Sequence, residues 1–167
     1  MKKILETNRL LLREFEIIDA ESFYELNLNP NVIKYTGNSA FKDIDEAREF
    51  LENYSDYHKN GYGRWAVIDK FTNQFLGWCG LKYDEKLDET DIGFRFFEHF
   101  WNQGLATESA KACIDYGFKE LNLKTILGRA MKENTASIKV LEKIGLQYEK
   151  DFDFDGKDGL IYKIDRH

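Results

Sequence analysis

Apolar and polar positions along this chain repeat with two periods, and each change of period marks an element. "RLLLREF", Arg9 to Phe15, reads as a first strand. "DAESFYELN" follows, with Asp19 placed as a helix cap and Phe23, Tyr24 and Leu26 on an apolar side. "DIDEAREFLENYSDYHKNG" carries Ala47, Phe50, Leu51, Tyr54 and Tyr57 at helical spacing before Gly61 stops it, which predicts one amphipathic helix. Three strand-like runs come next, "GRWAVIDK", "QFLGWCGLKY" and "TDIGFRFF". The first two are joined by "KFTNQ", a short polar connection typical of a hairpin. In the following helix Ala106, Ala110, Cys113, Ile114, Gly117, Phe118 and Leu121 make one apolar stripe, with Lys111, Asp115 and Lys119 facing away. "KTILGRAM" is the next strand, and "NTASIKVLEKIG" the next helix, capped by Asn134 and ended by Gly145. The tail alternates around Asp155-Gly156, a hairpin signal. The order β-α-α-β-β-β-α-β-α-β-β predicts a mixed α/β (α+β) fold: one mixed sheet with helices on both faces, in a single domain over residues 1–167.

Composition narrows the function classes. A net charge of -6 speaks against nonspecific nucleic-acid binding, which needs lysine and arginine on phosphates, and it suits a cationic substrate. No apolar run approaches the roughly 20 residues of a membrane-spanning helix, and "MKKILETNRLLLREF" lacks the apolar stretch of a secretion signal. Cys79 and Cys113 lie far apart and read as buried free thiols, which fits a reducing cytoplasm. His58, His99 and His167 are isolated, so no metal site is expected; His99, close to the loop discussed next, reads as an exposed histidine or an acid–base group.

The segment "FWNQGLATESAKACIDYGF" opens a helix with Gly104, a poor helix former. A helix that begins after a strand presents several unpartnered N–H groups and a partial positive charge, which together make an anion site if nothing covers them. Gly104 has no Cβ and Ala106 the smallest, so a ligand can reach that backbone. The plain alternative is a turn glycine and an alanine packed on the sheet. No Gly-Lys-Ser/Thr follows and the three-glycine dinucleotide fingerprint is absent. The residues alone therefore reach a small anion, of diphosphate size, at a helix start.

In its strand-loop-helix context, "FWNQGLATESA" resembles the acetyl-coenzyme A loop of the GNAT (Gcn5-related) N-acetyltransferase superfamily, above all its ribosomal-protein N-terminal (RimJ/RimL-like) branch. "NRLLLREFEIIDA", "NPNVIKYTG", "WAVIDKFTNQFLGWCGL" and "ENTASIKVLEKIGL" extend the likeness over most of the chain. The resemblance implies a twisted mixed sheet of about six to seven strands, splayed between the fourth and fifth, with acetyl-CoA in the gap. It implies that the backbone amides of Asn102, Gln103, Gly104, Leu105, Ala106 and Thr107 bind the pyrophosphate. Phe94, Arg95 and Phe96 would line the pantetheine arm through their main chain, and Asn134 would bond the arm from the other side while also capping its helix. Two positions depart from the general pattern. Trp101 stands where the wider family often has Arg or Gln, and Leu141 where many relatives carry a tyrosine that protonates the leaving thiolate. Ser137, one turn before Leu141, is the candidate acid or thiolate donor, or else a polar residue of the helix start.

Acetyl transfer to an amine needs a neutral nucleophile, so the amine's proton must be accepted directly or through water. By the same resemblance Asp91 is the first candidate for that base, and Glu89, on the same strand face, the second. Either carboxylate could instead be a surface residue or an anchor for substrate charge. An N–H of the Phe94–Phe96 segment would meet the oxyanion. By the resemblance Tyr35 and Thr36 fall where family members line the acceptor pocket, and Trp65 is placed nearby as a further substrate-binding candidate, the plain alternative being that these aromatics build core. The acceptor is a protein N-terminus, a polyamine or another small amine; Leu141 in place of the tyrosine that polyamine enzymes usually keep tilts the reading to a protein N-terminus. Rivals from other classes are a non-catalytic acyl-CoA sensor and a structural domain that binds nothing. Homodimers are common in such families, though no stretch here specifies one.

Overall fold

The chain opens with an edge strand, β1 (Lys3–Glu6), paired antiparallel with β2 (Leu10–Arg13). Four short helices follow: α1 (Ala20–Leu26), α2 (Pro30–Ile33), α3 (Ile44–Glu52) and α4 (Asp56–Asn60). Then come β3 (Arg64–Asp69), β4 (Phe75–Asp84), β5 (Glu89–Phe96), α5 (Leu105–Lys119), β6 (Thr125–Met131), α6 (Thr135–Lys143), β7 (Gln147–Phe154) and β8 (Lys157–Asp165). The computed structural model describes all residues, 1–167, and joins the strands in one sheet of order β1-β2-β3-β4-β5-β6-β8-β7. Every neighbouring pair is antiparallel except β5 and β6.

Two expectations are corrected. The sheet has eight strands, not six or seven, because Lys3–Glu6 pairs at the edge with its two middle residues only half buried, a pattern too weakly apolar to read as a strand. The helix expected over 43–61 is two. The chain breaks between Glu52 and Asp56, where Tyr54 turns its hydroxyl inward to accept from the Arg64 amide at 2.7 Å. The Tyr57 hydroxyl accepts from the Phe15 amide at 3.0 Å and donates to the Arg64 carbonyl. Burial pushes both phenols well above their ordinary pKa, so both stay protonated and pin α3 and α4 to the start of β3.

Layers follow from strand alternation. On one face Trp65, Cys79, Leu81, Ile92 and Phe96 pack against Leu105, Ala110, Cys113 and Ile114 of α5. On the other, Trp78 and Phe75 meet a small cluster of Ala20, Phe23 and Leu51 from α1 and α3. The Cys79 and Cys113 sulfurs lie 3.8 Å apart, buried and unbonded, as free thiols. The α1 side is fastened to the sheet by a buried ion pair: Arg13 reaches Asp19 with two bonds of 2.8 Å. The hydrogen bond to Asp19 raises the Arg13 pKa against the opposing effect of its burial.

Strands β5 and β6 run together for only two register pairs, Asp91 with Leu127 and Ile92 with Gly128, and then part. These are the fourth and fifth strands of the sequence reading, shifted by one through the added edge strand. The β5 edge from Gly93 to Phe96 therefore faces a gap, with α5 opening beside it.

Truncating Asp19 to Ala strands the Arg13 guanidinium in a dry site. We expect a loss of about 3–5 kcal/mol of unfolding free energy, read by urea denaturation. A loss below about 1 kcal/mol would show that solvent replaces the pair.

Candidate active site

The gap holds a cleft of about 730 Å³ whose floor is the loop from Phe100 to Thr107. Gly104 caps α5 in the left-handed region, φ 78° and ψ 8°, and Asn102 two residues earlier also has positive φ, 62°. No side chain caps α5; its first closed turn is the Glu108 amide to the Gly104 carbonyl, 2.9 Å. The amides of Asn102, Gln103, Gly104, Leu105, Ala106 and Thr107 have no acceptor in the protein. A Cβ on Gly104 would meet nothing nearer than an Arg9 guanidinium nitrogen at 3.5 Å, so glycine is needed there for its backbone conformation, not for space.

The loop is held from outside the cleft. Trp101 donates its indole N–H to the Phe96 carbonyl at 2.9 Å, which takes up that carbonyl and explains a tryptophan at this position. Arg9 bonds the Gln103 carbonyl at 3.0 Å and Glu108 at 2.8 Å, and Thr7 adds a further bond to Glu108. Burial would raise the Glu108 pKa, but these bonds outweigh it and lower it. The Gln103 side chain turns back to the His99 carbonyl, and Leu105 is buried in the core, so both can serve the cleft only through their backbone. Glu98, lowered in pKa by bonds from Asn29 and Asn31, ties α2 over the same loop. Lys34, Lys139 and Lys143 also line this cleft, cations the sequence reading did not single out.

A second cleft of about 580 Å³ opens on the α1–α3 face of the sheet. The two share Tyr35, Thr36, Phe94, Arg95, Asn134 and Ser137, so they meet at the parted strand edge. Asn134 caps α6 by accepting from the Ser137 amide at 3.3 Å, so its capping role holds while it lines both clefts. The Ser137 hydroxyl makes no bond within the protein and is free to donate. Leu141, one turn on, is buried.

Several residues stand elsewhere than expected. Trp65 is 1% exposed and packs edge-on against Tyr116 of α5. Strand alternation turns its neighbour Arg64 to the cleft instead, so Trp65 is a core residue, not a pocket wall. The Thr36 hydroxyl is occupied, donating to the Ile33 carbonyl and accepting from the Asn38 amide. Asp91 and Glu89 do share a face, but neither carboxylate is free. Asp91 accepts from Arg64 at 2.7 Å and from Arg129 at 2.9 Å, and Glu89 accepts from Arg129. Arg64 reaches Asp91 across Gly93, where a Cβ would lie 2.7 Å from the guanidinium carbon.

Arg64, Arg95 and Arg129 were missed as side chains, though each interrupts an apolar strand run, in "GRWAV", "GFRFF" and "LGRAM". Arg95 differs from the other two. Its guanidinium donates to the side-chain oxygens of Asn27 and Asn38 and stacks on Trp78, 5.1 Å from the ring centre, with no carboxylate partner. Burial first, then the nearby Arg64 charge, lowers its pKa to about 10, which leaves it cationic at neutral pH.

Comparison with known proteins agrees with this geometry. The family described as the acetyltransferase (GNAT) domain matches residues 9–147. An uncharacterized N-acetyltransferase, p20, of Bacillus licheniformis is 35% identical over 147 residues, covering 87% of this chain and 83% of that one. The crystal structure of a GNAT-family acetyltransferase from Bacillus anthracis superposes with a TM-score of 0.83 at 30% identity, over 96% of this chain and 97% of that one. More distant matches differ in acceptor. They include the spermidine N(1)-acetyltransferase of Escherichia coli, 26% identical over 83% of this chain and 73% of that one. They also include RimL, a ribosomal L7/L12 alpha-N-protein acetyltransferase in complex with coenzyme A, with a TM-score of 0.82 at 16% identity over 98% of each chain. The eight-stranded mixed sheet parted beside α5, and the family match over most of the chain, make this protein a member of the GNAT N-acetyltransferases.

Proposed function

We propose that this chain transfers the acetyl group of acetyl-CoA directly to a primary amine, with both substrates bound at once. The observation that carries the reading is the meeting of two clefts at Phe94, Asn134 and Ser137, one of them floored by six unpartnered amides. Those amides and the positive end of α5 fit a pyrophosphate, each charge-assisted bond contributing about 1.5–3 kcal/mol. Lys34, Lys139 and Lys143 add positive charge around it.

Acetyl-CoA, when bound, supplies a thioester whose C–S bond breaks as the acceptor nitrogen bonds the acetyl carbon. The unpaired β5 edge from Gly93 to Phe96 offers main-chain groups to the pantetheine arm and an N–H for the oxygen on which charge builds. Ser137 donates a hydrogen bond, or its proton, to the departing sulfur. The amine's proton passes to water in the acceptor cleft. Asp91 holds Arg64 and Arg129 in place across three strands; we assign it positioning, not proton acceptance, and Glu89 the same.

Of the acceptors considered, an α-amine such as a protein N-terminus fits better than a polyamine. The acceptor cleft presents Arg64, Arg95, Arg129 and Lys82, with Asp91 as its one acidic wall residue. A polycation would meet repulsion there.

Gly104→Val puts a branched residue at positive φ and so strains the turn that aims the amides. We expect acetyl-CoA affinity to fall about tenfold or more by calorimetry, roughly 1.4 kcal/mol. Unchanged affinity would move the pyrophosphate site elsewhere. Ser137→Ala should lower kcat by about 10²-fold with KM for acetyl-CoA little altered. An unaltered kcat would hand that role to water. Asp91→Asn should lower kcat/KM by one factor across the range from about pH 6 to 9, since a positioning loss does not titrate. Recovery at the alkaline end would make Asp91 the base after all.

A further inference from the structure

The protein's arginines are neutralised where they matter for folding, with one exception. Arg9 pairs with Glu108, Arg13 with Asp19, Arg48 with Asp45, Arg64 with Asp91, and Arg129 with Glu89 and Asp91. Arg166 lies exposed at the chain's end. Arg95 alone is largely desolvated and unpaired. Its Nε has no acceptor, and a second guanidinium, Arg64, lies on the same Trp78 ring, 5.5 Å from its centre. A fold that holds a cation this way bears a desolvation cost that a nearby carboxylate would relieve.

Asn27 and Asn38 hold the guanidinium by neutral oxygens, fixing its position without cancelling its charge. Asn27 is itself fixed: it is 3% exposed and donates to the Phe23 carbonyl at 2.8 Å. Arg95 therefore stands as a preset donor in the wall shared by both clefts, beside the junction where the amine must attack. The second cleft adds an aromatic wall: Phe15, Phe23, Phe41 and Phe50 line it, with ring centres 5.3–5.8 Å apart along the contacts Phe15–Phe23, Phe23–Phe41, Phe23–Phe50 and Phe41–Phe50.

We propose that the acceptor carries a carboxylate close to its reactive amine, that Arg95 receives that carboxylate, and that the aromatic wall takes an apolar side chain. The substrate class is thus an amphipathic amino acid or a peptide with an acidic residue at its start. This rests on the N-acetyltransferase reading above and narrows it. The pairing matches charge to charge at a guanidinium whose Nε is already buried without an acceptor, and it positions the amine by a bidentate contact.

The experiment measures thiol release from acetyl-CoA with L-phenylalanine, L-phenylalaninamide, spermidine, and amidated tripeptides whose second residue is glutamate or glutamine. We expect the carboxylate member of at least one matched pair to exceed its amide by tenfold or more in kcat/KM, and to exceed spermidine. Preference within the phenylalanine pair assigns a free amino acid; preference within the peptide pair assigns an acidic N-terminus. Arg95→Gln should collapse that ratio toward one, and Arg95→Lys should keep part of it, with circular dichroism verifying that both variants are folded. Equal rates within both pairs, a preference for spermidine, or a ratio untouched by Arg95→Gln would overturn the inference and leave N-acetylation standing. No thiol release with any amine, despite calorimetric binding of acetyl-CoA, would overturn the enzymatic reading and this inference with it.

Discussion

Everything at this site depends on one departure from sheet regularity: β5 and β6 pair at Asp91–Leu127 and Ile92–Gly128 and nowhere beyond. A parallel pair that continued would satisfy its own backbone and leave no room. By parting, the strands expose a row of main-chain donors and acceptors on β5, and each such group, buried without a partner, costs about 1–3 kcal/mol. The molecule tolerates this because the edge stays open to solvent along a cleft and because the far side of β5 is fully paired with β4, from Glu89 to Phe96. The gap is kept open from both flanks. Asp91 is gripped by Arg64 of β3 and Arg129 of β6 just where the strands separate, and Trp101 ties the departing loop to the last residue of β5.

How much of this a reader of the sequence can see depends on how local each feature is. The amide cluster lies within one short stretch, Asn102 to Thr107, and its two small residues, Gly104 and Ala106, flank a single leucine there, so it was legible. So were Asn134 as a cap and the two buried thiols, each decided by neighbours within a turn or by composition. The edge strand Lys3–Glu6 was not, because an edge needs only one half-buried face. The break at Asn53–Ser55 was hidden because helical spacing of Tyr54 and Tyr57 continues through it; what ends the helix is a tertiary bond to Arg64. Trp65 was placed near the pocket by resemblance, while strand register turns it into the core and gives the cleft to Arg64. The cations of the second cleft come from four strands, β3 to β6, and only the sheet brings them together.

Net charge and local charge point in opposite directions here. The chain carries -6 overall, which suggested a cationic substrate, yet the acceptor cleft is lined by guanidinium groups. Exposed acidic residues lie in high dielectric and are screened over about 8–10 Å at ordinary ionic strength. A part-buried guanidinium is screened far less, so its field governs what binds beside it. On the acceptor selectivity proposed above, the one part-buried arginine without a carboxylate partner outweighs a surplus of acids outside.

The two halves of the site thus rest on a common principle reached by different means. On one side, the donors are backbone amides, whose direction is set once Gly104 adopts its left-handed turn and α5 begins. On the other, the donor is a long side chain that would lose rotamer freedom on binding, but Asn27, Asn38 and the Trp78 ring have already fixed it. In both places the cost of ordering is met in folding and not when substrate arrives. Catalysis by proximity needs this more than it needs a strong base, because the gain from holding an amine against a thioester is lost if either partner is free to shift by about 1 Å. Such a site can spare both Asp91 and Glu89 from proton transfer and employ them as the struts that keep its geometry.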